Sequence, residues 1–146
     1  MSSKIPPEIQ ERVRLRANYL CEYCHTSEQW QYVLFQMEHV FPQVAGGDDK
    51  LENLALACFP CNRRKSDKRF APDPQTGEDA ALFNPREDRW SEHFIWSADS
   101  LCIIPMTPVG RATECLLRLN RERVKEIRAE DIKVRRHPPE GDPIRP

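Results

Sequence analysis

Cys21 and Cys24, then Cys58 and Cys61, form two Cys-x-x-Cys pairs, the spacing at which a tight turn presents two thiolates to one metal ion. Thirty-three residues separate Cys24 from Cys58, more than the roughly 15 to 20 of a plain zinc ribbon, so the interval has room for an inserted hairpin. The interval holds Glu38-His39-Val40-Phe41-Pro42, Gly46-Gly47 and Asn53-Leu54, and the second pair runs straight into Asn62-Arg63-Arg64-Lys65. A four-cysteine structural zinc site would fold a small core rather than react. Two other uses of the thiols stand beside it. Two disulfides would require an oxidising compartment. Cys21-Glu22-Tyr23-Cys24-His25 has the letters of a c-type haem attachment sequence, which requires export and leaves Cys58 and Cys61 without a purpose.

Inside the interval the residue types suit phosphodiester hydrolysis. That reaction needs a base to activate water and a cation to neutralise the phosphate oxygen and the leaving alkoxide. Histidine is the side chain suited to proton transfer near neutral pH, which makes His39 the candidate base. The Glu38 carboxylate and the Asn62 amide oxygen would be a pair of hard ligands for a divalent cation, which keeps its other positions for water and phosphate. Neighbours on a regular strand point to opposite faces, so Glu38 and His39 share one site only where the strand is distorted or ends, as Pro42 permits. Asn53 could bond loop backbone and fix the base, or be a plain turn asparagine. Arg63, Arg64, Lys65, Lys68 and Arg69 follow Asn62, where phosphate contacts would position a duplex without reading its sequence; the bland alternative is a solvated charged face.

The elements that must position these groups can be read from periodicity and punctuation. Pro6-Pro7 opens a helix with Ile9, Val13, Ala17 and Leu20 on one stripe, running directly into Cys21; the intervening arginines fall on the solvent side. Tyr32 through Val40 is rich in strand formers. Gly46-Gly47-Asp48-Asp49 makes a loop, Asn53 to Cys58 a second strand, and Pro60 starts a helix over Asn62 to Arg69. The order strand, loop, strand, knuckle, helix is a ββα unit. Beyond the turn-rich stretch from Ala71 to Glu78, Trp90 to Trp96 alternate and pair with Leu101-Cys102-Ile103-Ile104 as a hairpin. Thr107-Pro108 then caps a helix with Ala112, Cys115, Leu116 and Leu119 on one face, and Asn120 caps another with Val124 and Ile127. Trp90, Phe94 and Trp96 read as core, and Cys102 and Cys115 as small buried apolar residues. The expectation is an α+β chain with a nuclease-type core and N-terminal helix over 1–70, a hairpin and helices over 71–136, and a frayed tail over 137–146.

With 146 residues, 13 prolines and a formal net charge of −1, the chain is no uniformly basic nucleic-acid coat, so phosphate contact must come from a local patch. No apolar run reaches the roughly 18 residues of a membrane span, and the opening residues lack the apolar core of a secretory signal. A cytoplasmic protein with reduced thiols is expected.

Glu38-His39-Val40-Phe41-Pro42, Gly46-Gly47, Asn53-Leu54 and Cys58-x-x-Cys61-Asn62-x-x-Lys65 resemble the HNH endonuclease motif. With Cys21-x-x-Cys24 they are similar to the zinc-stapled branch of that superfamily, whose core is the ββα-metal finger. The likeness covers about Arg12 to Asp67. The run through Leu82-Phe83-Asn84-Pro85-Arg86, Trp90-Ser91-Glu92-His93-Phe94 and Thr107-Pro108 also resembles small stand-alone bacterial HNH proteins. The resemblance implies a metal-dependent endonuclease acting on DNA, with His39 as general base, Asn53 as the orienting residue, and Glu38 and Asn62 as ligands of the catalytic cation. Two positions depart from the family's pattern: Glu38 stands where Asp is usual, and Asn62 where a second histidine is usual. An amide in place of an imidazole makes the site harder and favours Mg²⁺ or Mn²⁺. A non-catalytic zinc-dependent nucleic-acid-binding module is the alternative, and cutting both strands with one site would invite a homodimer.

Overall fold

The computed structural model describes residues 5–146, so the first four residues of the expected 1–70 segment lie outside it. The chain divides into two compact units. The first comprises the described residues through Arg69 with Asn84–Glu87, the second Phe70–Phe83 with Asp88–Pro146. Among the described residues no helix is long and apolar enough to cross a membrane.

In the first unit, α1 (Pro7–Arg16) starts on a proline, whose fixed φ suits a first helical turn, and turns Val13 into the core. It does not reach Cys21 as the apolar stripe suggested. The backbone turns left-handed at Asn18 and Tyr19 (φ 56° and 61°), and Leu20 instead pairs with Ser27 across the first knuckle. The arginines expected on the solvent side are partly ties. Arg14 spans both oxygens of Glu28 at 3.1 Å, and Arg16 donates to the carbonyl of Leu51 at 2.9 Å.

β1 (Gln36–His39) and β2 (Leu54–Ala57) form an antiparallel hairpin, with Gln36 opposite Ala57 and His39 opposite Leu54. The expected strand from Tyr32 is therefore four residues shorter at its start. Beyond Ala57 the chain turns into the second knuckle and offers no partner, while the Phe35 amide donates to the Glu28 carboxylate at 2.6 Å rather than to a ladder. All of β2 is buried, as its uninterrupted apolar run implied. α2 (Phe59–Lys65) completes the ββα unit and stops at Ser66, whose φ is 51°. Lys68 and Arg69 thus lie beyond the helix on which the sequence pattern placed them.

The second unit holds two more hairpins. β3 (Phe70–Pro72) pairs with β4 (Asp79–Ala81), and β5 (Phe94–Trp96) pairs with β6 (Ile103–Pro105). The alternation from Trp90 is only half strand: Trp90–His93 is a single helical turn, α3, and both modes bury the aromatics. α4 (Pro108–Leu117) is capped as expected, Thr107 Oγ1 accepting from the Gly110 amide at 3.0 Å. Its inner face is Ala112, Thr113 and Leu117, so Cys115 is exposed and not the buried apolar residue that its spacing suggested. Asn120 does not cap α5 (Glu122–Lys133). Its amide pairs with both backbone groups of Ile103, at 2.6 and 2.8 Å, and pins β6 as another strand would.

The tail expected to fray is docked. Trp96 donates to the Pro143 carbonyl at 3.0 Å, and Arg145 donates back to the Trp96 carbonyl at 2.9 Å. The His137 ring stands edge-on to the Trp96 indole, its centroid 4.4 Å away. Trp96 is a large buried ring, and the tail satisfies backbone groups that β6 leaves unpaired around it.

Candidate metal centre and hydrolytic site

The two knuckles converge. The sulfurs of Cys21, Cys24, Cys58 and Cys61 all lie within 4.8 Å of one another, every one in a buried residue. A regular tetrahedron with metal–sulfur bonds of about 2.3 Å has edges of about 3.8 Å, and Cys24 Sγ lies 3.8 Å from Cys58 Sγ. None of the four is in a disulfide. Burial, together with the neighbouring thiols, pushes the Cys21 thiol well above its ordinary range, so four thiolates at this place need a cation. Zn²⁺ fits the donor set and the spacing. It also accounts for both pairs at once, which the haem alternative does not.

Local backbone geometry builds the first knuckle and fixes it to the hairpin. Cys21 donates to the Thr26 carbonyl at 2.8 Å, and His25 closes the turn with φ 59°. Glu22 then grips β2 twice: its amide donates to the Leu56 carbonyl and its carboxylate accepts from the Leu56 amide, both at 2.8 Å. The Arg86 guanidinium bonds the other oxygen of Glu22. The second knuckle is the entry to α2, where the Asn62 amide donates to the Cys58 carbonyl at 2.9 Å.

β1 sends Glu38 and His39 to opposite sides, as strand geometry requires. Glu38 faces the core and is 2% exposed. One oxygen accepts from the Tyr23 hydroxyl at 2.5 Å and the other from the Lys65 ammonium at 2.7 Å. Burial, and then the charge of Glu38, push the Tyr23 hydroxyl well above its ordinary value, so it remains a donor. This corrects one expectation. Lys65 is itself 2% exposed and neutralises Glu38, so it is not a phosphate contact. Both Glu38 oxygens are engaged, one by a hydroxyl and one by an ammonium ion. Asn62 lines one cleft with Glu38 and His39, and its Nδ2 donates to Gln36 Oε1 at 2.6 Å. A joint Mg²⁺ or Mn²⁺ site on Glu38 and Asn62 would have to displace the Lys65 ammonium from Glu38.

His39 faces a cleft of about 680 Å³ that is also lined by Gln36, Glu38, Gln43, Asn62 and Asp67. Its Nε2 lies 2.7 Å from Asp49 Oδ1. The loop bearing Asp49 is held from within. Asn53 Oδ1 accepts from the Phe41 amide at 2.7 Å, and Nδ2 donates to the carbonyls of Phe41 and Asp48 at 3.0 and 2.9 Å. Gly46 takes φ 104°, and a Cβ on Gly47 would sit 1.8 Å from the Phe41 carbonyl oxygen. The Gly-Gly pair and Asn53 are thus one device: a turn so tight that only hydrogen stands between its strands, locked by a side-chain amide.

Of the basic residues, Arg63, Lys68 and Arg69 are exposed and Arg64 is partly so. The Arg69 guanidinium lies 4.7 Å from the centroid of the Phe41 ring. Sequence reasoning misses Asp49, Tyr23 and Glu28. Asp49 carries a signal, an acid in the loop between His39 and Asn53. Tyr23 and Glu28 act through partners distant in sequence, which no local pattern reveals.

A buried four-cysteine cluster that suits a zinc ion staples a ββα unit, with one imidazole on the cleft side of the hairpin. Residues 21–68 match the family model described as HNH endonuclease. No curated protein matches the chain. The match supports a nuclease-like, nucleic-acid-binding function.

Proposed function

We propose that the chain is an endonuclease that hydrolyses phosphodiester bonds of DNA with His39 as the general base. The observation that carries this reading is an imidazole held at the cleft by Asp49, within residues that match the HNH endonuclease model. In the proposed step a water molecule attacks phosphorus as the imidazole takes its proton. The bond from phosphorus to the leaving 3′ oxygen breaks, and that oxygen is protonated from solvent. Asn53 acts indirectly, by fixing the loop that faces His39. Arg63, Arg64, Lys68 and Arg69 supply phosphate contacts. Lys65 is left out of that set because its ammonium is buried against Glu38. No step is routed through a divalent cation; Glu38 is engaged by Tyr23 and Lys65.

A second reading is favoured by that same burial. With Glu38 locked between Tyr23 and Lys65, the fold could bind nucleic acid without cutting it. Plasmid nicking by wild type and His39→Ala, each with magnesium, with manganese and with chelator, separates the two. The endonuclease reading expects nicking by wild type and a loss of about 10²- to 10⁴-fold in the variant, the usual worth of a general base. DNA binding by wild type without nicking under all three conditions overturns it in favour of the binding module.

A further inference from the structure

The fold brings to His39 an acid that the sequence pattern did not single out, and three features show that its position is built. The Asp49 carboxylate meets Nε2 of a ring that is only 11% exposed, at 2.7 Å. The chain on one side of Asp49 is held by Asn53, which donates to the Asp48 carbonyl, and on the other by the Asp48 side chain, which accepts from the Lys50 amide at 3.1 Å. The turn at Gly46-Gly47 cannot relax away, since Gly47 touches both Phe41 and Asn53.

An ionised carboxylate only accepts hydrogen bonds, and a neutral imidazole carries one N–H. A neutral His39 facing Asp49 at this distance therefore places its proton on Nε2, and Nδ1 keeps the lone pair. We propose that Asp49 is a positioning residue for His39: it fixes the ring in the Nε2–H tautomer and the orientation that leave Nδ1 as the proton acceptor, and it stabilises the imidazolium formed when the proton arrives. The logic is that of a base oriented by a third group. In this role Asp49 acts through His39 rather than on the substrate. The proposal rests on the general-base reading of His39 for its catalytic consequence, while the tautomer stands without it.

The test uses the full-length, zinc-loaded chain as wild type, Asp49→Ala and Asp49→Asn. Ring-nitrogen NMR of labelled histidine reads the tautomer of His39, and steady-state nicking reads kcat and KM separately. Wild type should show Nε2–H as the single neutral tautomer, and both variants a mixture. In nicking, both variants should lose at least about tenfold in kcat at little changed KM, with wild-type zinc content and melting temperature. The asparagine variant matters because a space-filling role for Asp49 would survive it, whereas a neutral amide, able to donate or accept, cannot enforce one tautomer. A wild-type ring carrying its proton on Nδ1, or either variant keeping wild-type kcat, overturns the proposal. Should wild type fail to nick at all, the endonuclease reading falls and the tautomer alone decides the role of Asp49.

Discussion

Lys65 shows how much a single side chain's surroundings change its meaning. In the sequence it closes a basic run beside a candidate site. In the fold it is the counter-ion of a buried carboxylate, held at 2.7 Å with a tyrosine hydroxyl on the far oxygen. Removing one member of such a pair leaves an uncompensated charge in the core, typically a loss of about 3–5 kcal/mol. Lys65→Met is therefore expected to lower unfolding free energy in urea by that order. A variant of unchanged stability but reduced salt dependence of DNA binding would instead make Lys65 a phosphate contact. The pairing is not legible in the sequence. The alternation rule says that Glu38 and His39 must diverge, and the position of Asn53 suits a loop brace, but only the register of β1 on β2 decides which of the two faces inward. Arg128 is a second case: an arginine reads as surface, yet it is buried with its guanidinium 4.8 Å from the Trp96 ring centroid.

At the scale of elements, the hairpin loop and the knuckles carry the site. Gly47→Ala places a methyl group at 1.8 Å from a carbonyl oxygen and 2.8 Å from Asn53 Nδ2, a backbone clash that the turn must open to avoid. It should release the Asn53 clamp, lower the melting temperature and displace Asp49 from His39; hydrogen exchange at the Phe41 amide, protected by Asn53, reads this directly. Unaltered protection would show that the turn has room. Cys58→Ser removes one of four ligands whose metal binding is coupled to folding, so it should release zinc and unfold the first unit. Zinc retention with an unchanged melting temperature would contradict the structural role. The knuckles are legible because ligand spacing is a local property of sequence. The shortening of α1 and β1 is not, because what ends them is the left-handed turn at Asn18-Tyr19 and the lack of a partner strand beyond Ala57.

For the whole molecule, a chain of near-zero net charge depends on individual pairs rather than on overall field. In the second unit the Arg111 guanidinium, bonding both oxygens of Asp73 at 2.9 and 2.8 Å, holds that carboxyl down to about 2. A folded value below the unfolded one, 3.8, contributes stability that is full above the unfolded value and lost as pH falls through the folded one. The second unit should therefore weaken between about pH 4 and pH 2, and Asp73→Asn should flatten that limb; an equally steep acid limb in the variant would place the sensitivity elsewhere. The sequence indicates the composition of this unit but not its closure, since the docking of the tail on Trp96 joins residues far apart in the chain.

The central claim is that the His39 imidazole activates water. Its most direct measurement is the rate of plasmid nicking by His39→Ala against wild type at matched zinc content and matched DNA affinity. The account predicts wild-type nicking that falls by at least about a hundredfold in the variant while binding is retained. Equal nicking by the two proteins would contradict it.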